Sequence, residues 1–143
     1  MPTIFVSYRR GISSGWAGRL AEILMGHFSL KNVFMDIETI QPGVDFVKAI
    51  SQAVGSCDTL LAIIAPDWLQ AKTRIGERRL DDPQDFVRIE LVTALSRGIP
   101  VIPVLVGGAT MPLAEDLPGA LQALARVRPT NSPTRVGILI ASG

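Results

Sequence analysis

Four short apolar runs divide the chain: residues 3–8, 32–35, 59–65 and 99–106. Each is rich in β-branched or aromatic side chains and lacks a polar alternation, which is the pattern of strands buried on both faces. The run at 59–65, bounded by Asp58 and Pro66, is apolar almost throughout. Between the runs, apolar residues recur at helical spacing. Trp16, Ala17, Leu20, Ala21, Leu24 and Phe28 form one face, with Ser13 or Ser14 as its cap. Phe46, Val47, Ile50 and Val54 form a second, stopped by Gly55. Val87, Leu91, Ala94 and Leu95 form a third within residues 82–98. There Asp82 suits the cap, Pro83 the first turn, Asp85 the positive end of the helix, and Gly98 the stop. Residues 118–125 predict a short helix, and a weak fifth strand is expected near 124–128. Pro103 cannot donate to a ladder, so an irregularity or a sheet edge is expected there. The charged, breaker-rich stretch at 72–85 reads as a solvated surface excursion.

Strands alternating with helices at this spacing predict βαβ units. The expected fold is a three-layer α/β domain, flavodoxin-like, with a five-stranded parallel sheet in the order 2-1-3-4-5 and helices on both faces. Ligands of such sheets bind beyond the carboxyl ends of the strands, beside the switch point between the first and third. That rule brings Ser7, Tyr8, Arg9 and Arg10 next to residues 65–68, which end in Trp68. The loop after Asp36 and the helix carrying Glu90 can close the same crevice.

Length and composition narrow the function. A chain of 143 residues, 48% hydrophobic and 19% charged, fits one globular domain. A formal charge of +1 argues against a nucleic-acid binder driven by phosphate neutralisation. No apolar run reaches membrane-spanning length and no leader pattern opens the chain, so a cytoplasmic protein is expected. Cys57 and His27 are each the only residue of their type, which leaves no disulfide framework and no expected metal site. Dinucleotide-binding glycine patterns, a P-loop, a nucleophile elbow and His-Glu-x-x-His are all absent. A phosphoacceptor reading fails too, because the first strand ends in Ser7-Tyr8-Arg9 and the third in Ala65-Pro66.

What remains is a basic mouth, an aromatic residue and one carboxylate. Arg9 and Arg10 can hold phosphates as forked donors, although exposed arginines are common without any such role. Phe86, one turn before Glu90, can stack on a flat ring, although a helical aromatic is more often core. Glu90 borders the apolar stripe, where its contacts can be tuned; a solvated helix glutamate is the ordinary alternative.

Four blocks then resemble the Toll/interleukin-1 receptor (TIR) domain: residues 4–10, residues 33–43, residues 57–66, and residues 85–95 followed by 99–104. They come in family order and spacing across roughly residues 2–125, and their wording is closest to bacterial members. Residues 1–143 read as a single TIR domain, matched well to 128, with 129–143 as a tail that could begin a linker to another module. The resemblance implies cleavage of the nicotinamide–ribose bond of NAD, which is substrate and not cofactor, to ADP-ribose or a cyclic isomer. Glu90 falls where the family has its catalytic glutamate. Ser7, Arg9 and Arg10 fall where it lines the dinucleotide site. Phe86 stands where many members have Trp, which keeps a flat face without the indole N–H, and Ala65 stands where many have Ser. Residues 37–43 correspond to a loop used for assembly, with Ile40, Gln41, Pro42 and Gly43 as its expected contacts. The implied partners are other TIR domains and a sensor domain of a longer immune or signalling protein. A non-catalytic TIR module that only assembles with its kind is the competing expectation.

Overall fold

The computed structural model describes residues 3–9, 19, 33–34, 43 and 45–130. Its centre is a parallel sheet of β1 (Ile4–Ser7), β2 (Val33–Phe34), β3 (Thr59–Ile64) and β4 (Val101–Leu105) in the order β2-β1-β3-β4. Central β1 aligns Ile4 with Val33 on one side and with Thr59 on the other. The β1–β3 register is pinned at its start. The Thr3 N–H donates to Asp58 Oδ2 at 2.7 Å, and the Asp58 N–H donates back to the Thr3 carbonyl at 2.8 Å.

Strand alternation sorts the core into two faces. Phe5, Leu60, Ala62 and Ile64 join one cluster with Ile50 and Val54 of α1 (Phe46–Gly55) and Val87, Leu91 and Ala94 of α2 (Phe86–Ser96). Leu121 and Leu124 of a 3-10 helix (Gly119–Arg126) complete it. Ile4, Val6, Leu61, Ile63 and Val104 form the opposite cluster, with Tyr8, Ile102 and Val106 against it. Of residues 10–32, Arg19 is described, and it is helical. The expected helix around Trp16 to Phe28 otherwise lies outside the described residues.

Two helix boundaries differ from expectation, each for a local reason. Helix α2 starts at Phe86, and its cap is Asp85, whose carboxylate accepts from the Arg88 N–H at 3.2 Å. Asp82 Oδ1 instead accepts from the Gln84 N–H at 3.0 Å, closing the turn before the helix. Helix α1 includes Gly55, with Ser56 as its cap. A Cβ on Gly55 would lie 1.7 Å from Arg97 Nη1, so the missing side chain makes room for that guanidinium at the end of α2. Gly98 ends α2 as expected, at φ +70°, a backbone conformation relaxed only for glycine.

The stretch expected as a solvated excursion is more ordered. Trp68, Ala71 and Leu80 are buried, and the Arg79 N–H donates to the Ala71 carbonyl at 2.8 Å. A 3-10 turn (Arg79–Asp81) folds Leu80 under α2, where the Leu80 carbonyl accepts from Arg88 Nη1 at 2.9 Å.

The fifth strand is not where the sequence reading put it. Residues 124–126 belong to the 3-10 helix, and the chain reaches β4 only at Thr130, in a parallel bridge to Val104. The Thr130 N–H donates to the Pro103 carbonyl at 2.9 Å, and its carbonyl accepts from the Leu105 N–H at 2.8 Å. Pro103 explains the late start. In this register the next bond toward the amino end would run from residue 103 to the carbonyl of residue 128, and proline has no N–H to give. The missing donor faces away from β3, so the β3–β4 ladder is unaffected.

Candidate active site

Four residues make the candidate site: Ser7 and Arg9 at the carboxyl end of β1, and Asp85 and Glu90 of the cap and first turns of α2. Ser7 is the last residue of β1, and its hydroxyl donates to Glu90 Oε1 at 2.8 Å. Glu90 lies on α2 and is only 6% exposed. Helix α2 is covered on most of its sides: Val87, Ile89, Leu91, Thr93 and Ala94 are buried along with Glu90. Burial pushes the Glu90 pKa from the usual 4.5 to about 8. The Ser7 hydroxyl opposes that rise, the nearby Asp85 carboxylate adds to it, and the Arg9 guanidinium opposes it.

Arg9 follows two residues after Ser7 and so leaves β1 on the same face. Its Nη1 and Nη2 donate to Oδ1 and Oδ2 of Asp85, the second contact at 3.1 Å. Both side chains are buried, at 3% and 9% exposure. Asp85 is the residue the sequence reading undervalued: it appeared there as helix punctuation, whereas it caps α2 and holds Arg9. Its one sequence signal was its position at the start of a glutamate-bearing helix.

The other expected site residues divide. Phe86 opens α2 one turn before Glu90 and is 43% exposed. Arg9 is not the free phosphate fork anticipated, because both of its terminal nitrogens are engaged by Asp85. Trp68 is fully buried in the core, which removes it from any surface contact with a ligand. Tyr8 packs on the opposite face of the sheet from Glu90, with Ile4 and Val6, because neighbouring strand residues alternate. Gly43 is exposed at φ +86°, consistent with a turn that requires glycine. Arg10, Asp36, Ile40, Gln41 and Pro42 lie outside the described residues. Among the described residues no three His, Cys, Asp or Glu side chains converge as metal ligands.

A separate cavity of about 430 Å³ opens beyond the carboxyl ends of β3 and β4. Ala65, Pro66, Gln70, Thr110, Met111 and Asp116 are among its walls. It lies on the β4 side of β3, and neither Ser7 nor Glu90 lines it.

Fold and site together define a doubly wound α/β domain whose central strand ends on a carboxylate presented by the crossover helix between β3 and β4. A TIR domain family model matches residues 4–134, and the chain belongs to that family. It is 28% identical over 130 residues to the NAD(+) hydrolase sarm1 of Drosophila melanogaster, covering 90% of this chain and 9% of that protein. The chain therefore spans about a tenth of that relative's length. Among solved structures, the TIR domains of the activated Roq1 resistosome, which recognises the pathogen effector XopQ, superpose with TM-score 0.63 at 13% identity. That match covers 99% of this chain and 98% of the other. A metazoan TIR-STING receptor from C. gigas gives TM-score 0.63 at 16% identity over 98% of this chain and 40% of that one. The TIR domain of the Toll-related receptor TRR-2 of Hydra magnipapillata gives 0.55 at 16% identity, over 78% and 76%. At these identities the structural matches speak to the fold.

Proposed function

We propose that this TIR domain consumes NAD, cleaving the bond between nicotinamide and ribose with Glu90 as the catalytic carboxylate. The observation that carries the reading is Glu90 on α2, bonded to Ser7 at the end of β1, with the exposed ring of Phe86 one turn earlier. The NAD(+) hydrolase relative supports it. As the C1′–N bond breaks, its electron pair leaves with nicotinamide, which departs as a neutral base. The ribose is left as an oxocarbenium-like cation, and a carboxylate beside it stabilises that charge. Water then attacks C1′ and loses a proton to give ADP-ribose; attack by a ring nitrogen of the adenine gives a cyclic isomer. Phe86 offers a flat face to a ring of the dinucleotide. Self-association through the loop ending at Gly43 activates the domain within a longer immune signalling protein that carries a sensor module. Incubating assembled protein with NAD and resolving nicotinamide and the ribosyl product by mass tests the reading. Equal nicotinamide release from wild type and Glu90→Gln would end it.

A second reading, a TIR module that assembles without catalysis, has one observation in its favour. With a pKa near 8 in a site 6% exposed, Glu90 is mostly neutral at pH 7 in this conformation. A neutral, covered acid stabilises no cation. Wild-type protein in a demonstrated assembly that releases no nicotinamide would favour this reading.

A further inference from the structure

The structure assigns a second layer to the site: the buried Arg9–Asp85 pair is the positioning unit of Glu90, clamping the start of α2 to the end of β1 and balancing the charge around the carboxylate. The inference rests on the reading of Glu90 as the reactive carboxylate and names two residues that serve it without touching substrate.

Geometry carries the clamp. Ser7 and Arg9 leave β1 on one face, and each reaches α2: Ser7 to Glu90, Arg9 to Asp85 five residues earlier. These are two struts between the same two elements, fixing both the axial position of α2 and its rotation. Asp85 adds a third bond by capping the Arg88 N–H, so its carboxylate joins the helix backbone to the guanidinium fork. A bidentate Arg–carboxylate pair is the most geometrically restrictive ion pair available to a protein.

Charge carries the balance. Among the described residues, Arg9 from β1 and Asp85 at the cap of α2 are the charged groups acting on Glu90, and they act in opposite senses. Arg88, the next charge on α2, turns its Nη1 to the Leu80 carbonyl. Arg9 Nε is buried with no hydrogen-bond partner among the described residues, so Asp85 is the one carboxylate neutralising this guanidinium there. Removing the charge of Asp85 leaves an uncompensated cation beside Glu90 and favours its ionised form. Removing both charges restores the balance.

The test is titration of the Glu90 side-chain carboxyl by carbon-13 NMR, its resonance assigned from its loss in Glu90→Gln. Wild type, Asp85→Asn and the double variant Arg9→Gln/Asp85→Asn are compared. Asparagine caps helices as well as aspartate, so the first variant keeps the start of α2 while losing some stability from the unpaired Arg9. Asp85→Asn should lower the Glu90 midpoint by about one pH unit, and the double variant should return it toward wild type. Nicotinamide release measured across pH should move its acid limb in the same two directions. A strut with no electrostatic role would lower melting temperature in both variants and leave the midpoint in place. Midpoints unchanged, or shifted equally in both variants, would overturn the assignment. If no protein releases nicotinamide, the NAD reading falls while the carboxyl titration still decides on the pair.

Discussion

Replacing Glu90 with glutamine should make the protein more stable while removing its chemistry. In the fold the carboxyl holds its proton up to about pH 8, whereas the unfolded chain releases it near 4.5. The folded state therefore binds more protons than the unfolded state between those values, and stability falls as pH rises through that window. Glutamine keeps the acceptor for the Ser7 hydroxyl and fills the same volume without titrating. Relative to wild type, Glu90→Gln should gain about 1 kcal/mol at pH 5, about 3 kcal/mol at pH 7, and about 5 kcal/mol above pH 8, where the gain levels off. For a domain of this size about 3 kcal/mol corresponds to roughly 6–12 °C in melting temperature. Thermal melts of both proteins at half-unit steps from pH 5 to 9.5 measure the difference directly, and other titrating groups cancel in it. Nicotinamide release should meanwhile fall on the order of a hundred-fold or more, the usual effect of losing a group that stabilises charge in the transition state. A Glu90→Gln protein that melts lower at pH 7, or a difference that stays flat from pH 5 to 9, would refute the reasoning. The first result would mean that Glu90 is held as a charged structural partner, the second that folding does not raise its pKa.

Three further outcomes are expected. Phe86→Ala should weaken NAD binding by roughly 0.5–1.5 kcal/mol with little change in melting temperature, since the ring is 43% exposed; Phe86→Trp should hold or raise turnover, and isothermal binding with steady-state rates separates the two effects. Gly43→Ala has open space around its new methyl but an unfavourable φ of +86°; the strain of about 1 kcal/mol should lower assembly and NAD cleavage together, read by light scattering and nicotinamide release, and if neither moves the loop is only a connector. Cys57 is buried, and burial followed by the neighbouring Asp58 raises its thiol pKa to about 11; iodoacetamide at pH 8 should leave the folded protein unlabelled, and rapid labelling would show that the start of β3 opens.

The four strands were legible because each is apolar on both faces, and a parallel sheet covered by helices writes that pattern plainly into a sequence. Where reading failed, the deciding partner lay far along the chain. Asp82 and Asp85 are both plausible caps, and Pro83 favours the first of them on local grounds. The choice falls to Asp85, which also holds Arg9, 76 residues away, a contact no local window contains. The same distance hid the burial of Arg9. A lone arginine in a sequence is expected at the surface, and only a partner makes its burial affordable. Leu80 was misplaced for a related reason: its segment is charged overall, yet this apolar side chain is buried while the charges around it stay outside; Trp68, read at the mouth of the crevice because it follows a strand end, is instead taken into the core. That Glu90 borders the core was legible because the clue is local, a carboxylate at the margin of an apolar stripe, whereas the role proposed for it came from the family resemblance.

Burial of Glu90 and the chemistry proposed for it pull in opposite directions, and the size of the conflict is small. A pKa near 8 leaves about one unit to overcome at pH 7, on the order of 1 kcal/mol. NAD carries a positive charge on its pyridinium ring, at the bond to be broken. An opposite charge within 4–6 Å typically lowers a carboxyl pKa by 1–3 units, enough to ionise Glu90 at neutral pH once substrate is seated. On the NAD reading, the domain thus holds its acid neutral and stable while empty, and the substrate's own cation draws out the charge that stabilises its cleavage. The Ser7 bond and the Arg9–Asp85 clamp fix where that charge emerges, so ionisation requires no large movement of α2. The same logic separates NAD from its reduced form, whose neutral dihydropyridine ring can neither leave as a neutral base nor pull the proton from Glu90. Reduced dinucleotide should bind without being cleaved, and its binding should leave the Glu90 midpoint near 8.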